Sequence, residues 1–546
     1  MEDIKQEFEK LTVNMKKINL LLAFILISSS VFAQYADALK YGKTITSSDL
    51  KKHLTILASD EYEGRETGKK GQKMAAEYIA NHFKSLGIAP IIDKGYYQEV
   101  PLISNSWKKK EFSINQKKQE FAKDFYAFPG TELVETTNDI VFIGYGIESE
   151  NYNDLAGVDI KGKIVLMFNG EPVNEKGKYA VTNTTEPSKF GKSIYSKLDS
   201  IKAKEPKAIL LIDEKIEENT KKYKNYLYHS SVKLDDPNVV KNFPVLYISP
   251  KLANEFVNLN KSGITKLQES LKDEPNSALY IMDLKDKINK RNKPNSFYVN
   301  KTLKIGLEQF RNSVSSENVL GYIKGSDLSD EVIIITAHYD HIGIEGDVVF
   351  NGADDDGSGT VALLEIAEAF QQAKKAGKGP RRSILIMGFT GEEKGLLGSK
   401  HYTTYPVFPL YKTVANLNID MIGRVDEAHE KDREFVYLIG SDKISTDLHE
   451  ISEKANKDYV NIKLDYTFND ENDPNRFYYR SDHYNFAKNN VPVIFYFNGV
   501  HADYHKETDT VDKIQFDLME KRSQLVFYTA WELANRDERI KVDKAP

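Results

Sequence analysis

The sequence of 546 residues contains no cysteine. This absence excludes disulfide bonds, thiolate nucleophiles and closed zinc sites built from cysteine. Any metal must therefore be bound by histidine, aspartate or glutamate side chains. That ligand set favours an open, catalytic site over a structural one.

A strong charge imbalance is also missing. The 75 basic and 81 acidic residues are interspersed and give a net charge of -6, with no basic tract long enough to follow a nucleic acid. We therefore predict no nucleic-acid partner. Hydrophobic residues at 40% and charged residues at 29% are typical of a soluble globular protein. The length exceeds one compact core and predicts two or three domains.

The N-terminal segment has the pattern of an export signal. Two lysines at 16 and 17 precede an apolar run over 20–27, and small residues lead to Ala33. The run is too short to span a bilayer stably, so we expect cleavage after Ala33, no membrane span in the mature chain, and a periplasmic or secreted protein. Met15 is an alternative start to Met1 because the charged leader is long. A buried N-terminal helix is the alternative to a signal.

Apolar periodicity divides the rest of the chain into segments of different character. Helical spacing over 48–86, interrupted by a glycine-containing loop at 61–71, predicts two helices. Short apolar strands with lysine-rich connections follow. From Lys301 strands, among them 332–336, 383–389 and 493–497, alternate with helices in continuous Val/Ile/Leu runs, and a helix over 516–535 comes last. This alternation predicts an α/β fold with a mostly parallel (mixed) sheet covered by helices on both faces. The predicted divisions are a signal peptide at 1–33, the first part of the main domain at 34–127, a smaller inserted domain at 128–295, and the remaining main domain at 296–546.

Histidines and carboxylates follow predicted strands or open a predicted helix at five places. Because ligands of such sheets bind beyond the carboxyl ends of the strands, we expect these groups to lie at one edge and to bind metal. The five are His338 in AHYDH, Asp355 in NGADDDGSGT, Glu393 in FTGEEKGLLGS, Asp420 in NLNIDMIG and His505 in ADYHKETDT.

Two neighbours of these groups have roles that follow from their positions. Asp340, two residues after His338, can fix the tautomer of that imidazole. Glu392 and Glu393 are adjacent at a strand end, so their side chains point in different directions. One can bind metal while the other accepts a proton from water as a general base.

Taken singly, each motif has a second interpretation. AHYDH also fits a surface histidine–aspartate pair, and paired glutamates are common on surfaces. NGADDDGSGT fits a solvated acidic loop at a helix N-terminus. Its spacing also matches a calcium EF-hand loop, but an extended GDVVF precedes it and the helix begins near Gly357, so zinc remains the preferred interpretation.

Together these motifs resemble the co-catalytic two-zinc aminopeptidase family, whose relatives include glutamate carboxypeptidases, glutaminyl cyclases and the non-catalytic transferrin receptors. Residues 63–88 resemble its first helical segment, and FIGYGI with GKIVLMFNGEP resembles an inserted protease-associated domain. The resemblance implies a zinc-peptidase fold, two zinc ions per chain and peptide substrates.

The resemblance also implies a role for each residue of the predicted site. Asp355 would bridge both ions, His338 and Asp420 would bind one ion, and Glu393 and His505 would bind the other. Glu392 would act as the general base, Asp340 as the partner of His338, and Tyr504 in stabilising the oxyanion. The stretch from Arg480 through Ser481 and Asp482 to His483 would border the substrate pocket, or else form a capped helix start.

We therefore predict an exported zinc aminopeptidase. A glutaminyl cyclase with one catalytic zinc and a carboxypeptidase are the alternatives on the same scaffold; the latter requires a basic pocket for the substrate carboxylate. A receptor-like binding protein is the alternative outside catalysis. It requires lost ligands, whereas all five are present in the sequence.

Overall fold

The computed structural model describes residues 34–91, 95–228, 230–236, 243–257, 285–286, 289, 296–299 and 301–544. The predicted export signal at 1–33 lies outside the described residues. The chain divides into an inserted unit, Ile103–Ser313, and a main unit formed by the flanking segments up to Leu102 and from Val314. The inserted unit is wider than the predicted 128–295, because the long strands at its two ends contain the boundaries.

The strands of the described residues are numbered in chain order. They are β1 Tyr97–Ile114, β2 Lys117–Lys118, β3 Phe125–Tyr126, β4 Leu133–Thr137, β5 Ile140–Ile143, β6 Ile164–Phe168, β7 Ala208–Ile212, β8 Ser231–Leu234, β9 Val245–Ile248, β10 Ser296–Val299, β11 Leu303–Ile323, β12 Leu328–His338, β13 Gly343–Glu345, β14 Val348–Phe350, β15 Arg382–Phe389, β16 Thr413–Ile419, β17 Phe435–Ile439, β18 Lys463–Asp465 and β19 Val493–Phe497.

The α-helices are numbered in the same way, after a helical stretch over 34–42. They are α1 Ser47–Leu57, α2 Lys70–Ser85, α3 Lys189–Lys192, α4 Tyr195–Lys202, α5 Ile216–Lys222, α6 Lys224–Tyr228, α7 Pro250–Val257, α8 Gly359–Lys375, α9 Leu397–Thr404, α10 Thr446–Ala455, α11 His483–Ala487 and α12 Phe516–Asn535. No helix in the described part of the chain has the length and apolar character that crossing a bilayer requires.

The main unit is built on a mixed sheet in the order β18-β17-β19-β16-β12-β15-β11. The four central strands β19, β16, β12 and β15 are mutually parallel. β11 joins β15 in antiparallel register, and β17 joins β19 in the same way. The predicted fold class, a mixed and mostly parallel sheet in an α/β fold, is confirmed.

Both faces of this sheet are buried, and β12 shows how. Ile333 and Ile335 pack into a core shared with α1, α8 and α12. Val332 and Ile334 point to the opposite face and pack with Tyr402 of α9 and Phe486 of α11. Because alternate residues enter different cores, the strand is apolar at consecutive positions instead of alternating with polar ones. Each buried side chain of this size contributes about 1.5–3 kcal/mol.

The inserted unit has its own sheet in the order β10-β5-β6-β7-β9-β3. β5, β6, β7 and β9 are parallel, and β10 and β3 join the two ends in antiparallel register. Two hydrophobic cores cover its two faces, one around Phe142 and Phe168 and the other around Val141 and Met167. The assignment of this unit as a protease-associated domain stays a prediction.

Candidate metal centre

The predicted ligands lie in the segments that follow the four central parallel strands. His338 ends β12, the Glu392–Glu393 pair follows β15, Asp420 follows β16, and His505 lies in the loop after β19. Because these strands are parallel and adjacent, their carboxyl ends share one edge of the sheet. Asp355 reaches the same edge from the turn Ala353–Ser358, which leads into α8.

Asp355 lies between two groups of ligands. Its Oδ1 is 3.3 Å from Nε2 of His338, and its Oδ2 is 3.0 Å from Nε2 of His505. Asp420 Oδ1 lies 3.7 Å from the same nitrogen of His338. Glu393 Oε2 lies 3.4 Å from the nitrogen of His505. Zinc bonds of 2.0–2.1 Å in a tetrahedron hold ligand atoms about 3.3 Å apart, so each group matches the spacing around one ion.

The contacts of His338 leave its Nε2 facing carboxylates, where a metal ion could bind. The Nδ1 atom lies 3.0 Å from the main-chain carbonyl oxygen of Asp340. A carbonyl oxygen can only accept a hydrogen bond, so Nδ1 carries the hydrogen. The Nε2 lone pair of the neutral ring therefore faces the carboxylates of Asp355 and Asp420, and this buried atom has no hydrogen-bond partner among the described residues. A lone pair opposite two carboxylates fits a bound cation.

Asp340 contacts His338 differently from the prediction. Its carboxylate Oδ1 is 3.8 Å from the His338 ring, farther than the main-chain carbonyl of the same residue. The carboxylate instead accepts the Thr67 hydroxyl at 2.6 Å and the main-chain N–H of Glu392 at 3.1 Å. Asp340 therefore holds both the His338 loop and the Glu392 loop in place.

The three consecutive aspartates of the acidic turn have separate contacts. Asp354 accepts the main-chain N–H of Gly423 at 2.6 Å and lies 3.1 Å from His501. Asp356 accepts the N–H groups of Met421 and Gly359. Both carboxylates thus bind neighbouring backbone, while that of Asp355 faces the histidines.

The adjacent glutamates have opposite electrostatic environments. Burial raises the pKa of Glu392 well above its ordinary value, and the charges of Asp420 and Glu393 add to this against the opposing effect of His338. Burial also raises the pKa of Glu393, but its contacts with His341 and His505 outweigh this and lower it to about 2. Divergent pKa values in a pair of carboxyl groups are typical of a division between a proton acceptor and a permanently charged ligand.

Sequence reasoning missed His341 and Arg65. His341 is fully buried, and its Nδ1 lies 2.9 Å from Oε1 of Glu393. Its signal was the second histidine of AHYDH. The buried Arg65 guanidinium donates to the carbonyls of Tyr339 and Gly352, so it fixes the two loops that carry His338 and Asp355. The sequence placed Arg65 in a loop but gave no indication of these partners.

A cavity opens on the predicted ligands. One part of its lining is formed by Asp355, Glu392, Asp420 and His505, and the remainder is mainly apolar, with Met421, Phe477, Phe495, Phe497 and Val500. Tyr504 and Arg480 also line it, and the Tyr504 ring stacks on His505 at 3.9 Å. Arg480 Nη2 donates to the Tyr504 hydroxyl at 3.4 Å. The hydroxyl of Ser481 donates to Asp420 Oδ2 at 2.6 Å and orients this carboxylate.

We predict that His483, at the start of α11, makes the free energy of unfolding depend on pH. Its ring is buried against Phe495, and burial lowers its pKa to about 3. The folded-state pKa lies below the unfolded value of about 6.5. The contribution of neutral His483 to the free energy of unfolding is therefore present above pH 6.5 and is lost as the pH falls. The loss between pH 7 and pH 5 is about 2 kcal/mol. The change in the free energy of unfolding between pH 7 and pH 5, measured with urea, should be smaller by that amount for His483→Leu than for the wild type. Equal pH dependence in the two proteins would contradict it.

The part of the chain that contains the predicted ligands is similar to known proteins. Residues 318–530 match the model described as peptidase family M28. The chain is similar to aminopeptidase YwaD of Bacillus subtilis (strain 168), with 26% identity covering 44% of this chain and 49% of the relative. It is also similar to probable glutamate carboxypeptidase AMP1 of Arabidopsis thaliana, with 25% identity covering 63% of this chain and 47% of the relative.

The two curated relatives are thus matched over about half their length. Among solved structures, an aminopeptidase from Aneurinibacillus sp. strain AM-1 has a similar fold. It superimposes with a TM-score of 0.52 and 18% identity, covering 93% of this chain and 98% of that chain.

Proposed function

We propose that this chain, whose residues 318–530 match peptidase family M28, is a zinc-dependent aminopeptidase that removes N-terminal residues from peptides. The observation that carries the proposal is the position of Asp355, whose two carboxylate oxygens face His338 on one side and His505 on the other. Asp420 joins the first histidine and Glu393 the second. These five residues would hold two zinc ions.

Two bound zinc ions supply a Lewis acid for the scissile carbonyl and lower the pKa of the attacking water. Glu392 lines the cavity, and its Oε2 lies 3.9 Å from Nε2 of His338. From this position its carboxylate would accept the proton of that water and return it to the leaving amine. Tyr504 lines the same cavity and offers a hydroxyl to the developing oxyanion.

The cavity lining indicates the substrate. Met421, Phe495 and Phe497 form an apolar surface next to the metal ligands, so the pocket favours a large apolar or aromatic N-terminal residue. We also propose that the inserted unit is a protease-associated domain and that the segment before Gln34 is an export signal, which would place the activity outside the cytoplasm.

Arg480 favours a carboxypeptidase-type activity as the second candidate. It is exposed at the cavity, and it forms no ion pair within 4 Å in the described part of the chain. Its guanidinium lies over the ring of Phe477 at 4.9 Å. A guanidinium beside a peptidase site that is not paired with a carboxylate of the protein can bind the terminal carboxylate of a substrate.

One panel of substrates separates these functions. We expect the mature zinc-loaded protein to hydrolyse aminoacyl arylamides and peptides with a free N-terminus, to leave N-acetylated peptides intact, and to lose activity on chelation until zinc is restored. Hydrolysis of N-acetylated peptides with a free C-terminus would instead support the carboxypeptidase. Formation of pyroglutamate would support a cyclase.

Arg480→Gln refines the comparison. For an aminopeptidase acting on arylamides, which have no carboxylate, this variant should keep kcat/KM within about threefold of the wild type. For a carboxypeptidase it should lose on the order of 10–100-fold on peptides with a free C-terminus, since an ion-paired contact contributes about 1.5–3 kcal/mol. Arg480→Lys serves as the charge-retaining control.

A further inference from the structure

We propose that His341 is an additional metal ligand, which joins Glu393, His505 and Asp355 around one of the two ions. This inference rests on the proposed two-zinc site and adds a sixth protein ligand to it. It starts from the geometry of one buried imidazole between two carboxylates.

The position of His341 places a nitrogen among the ligands. Its Nδ1 lies 2.9 Å from Glu393 Oε1 and 3.8 Å from Asp355 Oδ2. These two distances lie on either side of the spacing of about 3.3 Å expected between ligand atoms of one zinc ion. Atoms of His341, Asp355 and Glu393 also lie within 4.8 Å of one another as a group that can hold a metal. Glu393 presents its other oxygen to His505, so the two imidazoles face different oxygens of one carboxylate.

The burial of His341 gives a second, independent indication. The side chain is 0% exposed, and neither ring nitrogen makes a hydrogen bond of good geometry among the described residues, although Nδ1 lies within ion-pair distance of Glu393 Oε1. Glu393 Oε1 and Asp355 Oδ2, which face the ring, are also buried and also make no hydrogen bond among the described residues. Burying a polar group without a hydrogen bond costs about 1–3 kcal/mol. This cost applies here to three neighbouring atoms, His341 Nδ1, Glu393 Oε1 and Asp355 Oδ2. A cation satisfies all three atoms at once.

The surrounding backbone holds the ring in this orientation. Gly352, at a φ of +53°, passes so close that a β-carbon there would lie 2.5 Å from the ring atoms of His341. The main-chain N–H of His341 donates to the carbonyl of Arg65 at 3.3 Å. Gly352 is therefore required both for its left-handed backbone and for the space that it leaves to the imidazole.

His341 and His505 differ in solvent access, which gives them different roles toward this ion. His505 is 39% exposed and lines the cavity, whereas His341 approaches from the protein interior. With His341 on its inner side this ion would have four protein ligands, so a substrate amine or carbonyl would bind it from the cavity side as a fifth ligand. His341 would thus set the affinity of this ion without occupying space needed by substrate.

The test measures metal binding directly. Zinc per chain and competition with a chromophoric chelator would be measured for the wild type, His341→Phe and His341→Gln, together with the absorption spectrum of the cobalt-substituted proteins. We expect one of the two ions to bind on the order of 100-fold more weakly in both variants, and the cobalt bands of that site to shift because an imidazole is lost. The thermal stabilisation produced by zinc should fall as well.

His53→Phe is the matched control. His53 is a buried imidazole of the same unit, 3.3 Å from the carboxylate of Glu365 and outside the predicted ligand set. It should leave both zinc affinities and the cobalt spectrum unchanged. Unchanged zinc affinity and cobalt spectrum in the folded His341 variants would overturn the inference while the two-zinc site stands. A wild-type protein that binds fewer than two zinc ions would contradict the proposed function instead.

Discussion

Glu392→Gln is expected to retain two zinc ions and to lose activity by a factor on the order of 10²–10⁴ in kcat. The amide has nearly the shape of the carboxylate but cannot accept a proton from water, and positioned general bases typically contribute a factor of this size. The five predicted ligands remain unchanged in this variant. Steady-state kinetics on an aminoacyl arylamide, with zinc analysis of the same preparation, measures both quantities.

The control for this variant is Glu365→Gln. Glu365 is a buried glutamate of α8 that contacts His53 and lies outside the predicted ligand set. It should keep a kcat within about threefold of the wild type. Near-normal turnover by metal-replete Glu392→Gln would remove Glu392 from the role of base.

Asp355→Asn is expected to lose both zinc affinity and activity. The single residue supplies one oxygen toward His338 and another toward His505, so both proposed ions lose a charged ligand. Removing a ligand should weaken zinc binding by on the order of 100-fold or more, above the 10–100-fold typical of groups that only support a ligand. Zinc stoichiometry after dialysis and kcat/KM with added zinc are the measurements.

Asp354→Asn tests the specificity of this effect. It changes the preceding aspartate, whose carboxylate binds the N–H of Gly423 and contacts His501. The variant should lose about 1–3 kcal/mol of stability through the weakened buried contacts, yet bind two zinc ions at saturation. Equal zinc loss in both variants would show that the turn as a whole, and not Asp355 in particular, holds the metals.

The sequence predicted the main unit well because its strands are buried on both faces. The expected segments at 332–336, 383–389 and 493–497 correspond to β12, β15 and β19, since a continuous apolar run between helices is typical of a strand covered on both sides. Helix α12 was predicted at its observed bounds, Phe516–Asn535. The predicted ligands lie together because parallel strands bring their carboxyl ends to one edge.

The parts that were missed depend on contacts distant in sequence. The polar, lysine-rich half of β1 gave no apolar run to mark a strand, so the inserted unit was expected to begin at 128 and not at Ile103. In AHYDH the sequence contains two histidines, and contacts with Gly352 and Arg65, both distant in sequence, hold the second one beside Glu393. Local spacing contains no information about such a neighbour.

The order of the central strands has a consequence for biosynthesis. β19 pairs with β16, and the loop after it carries His505, although about 75 residues of chain separate the ends of these two strands. In the nascent chain Asp355 and Glu393 are therefore made well before His505, whose imidazole faces both of them in the folded protein. The ligand set that we propose is therefore complete only after β19 and the loop that follows it have been made and have joined the sheet.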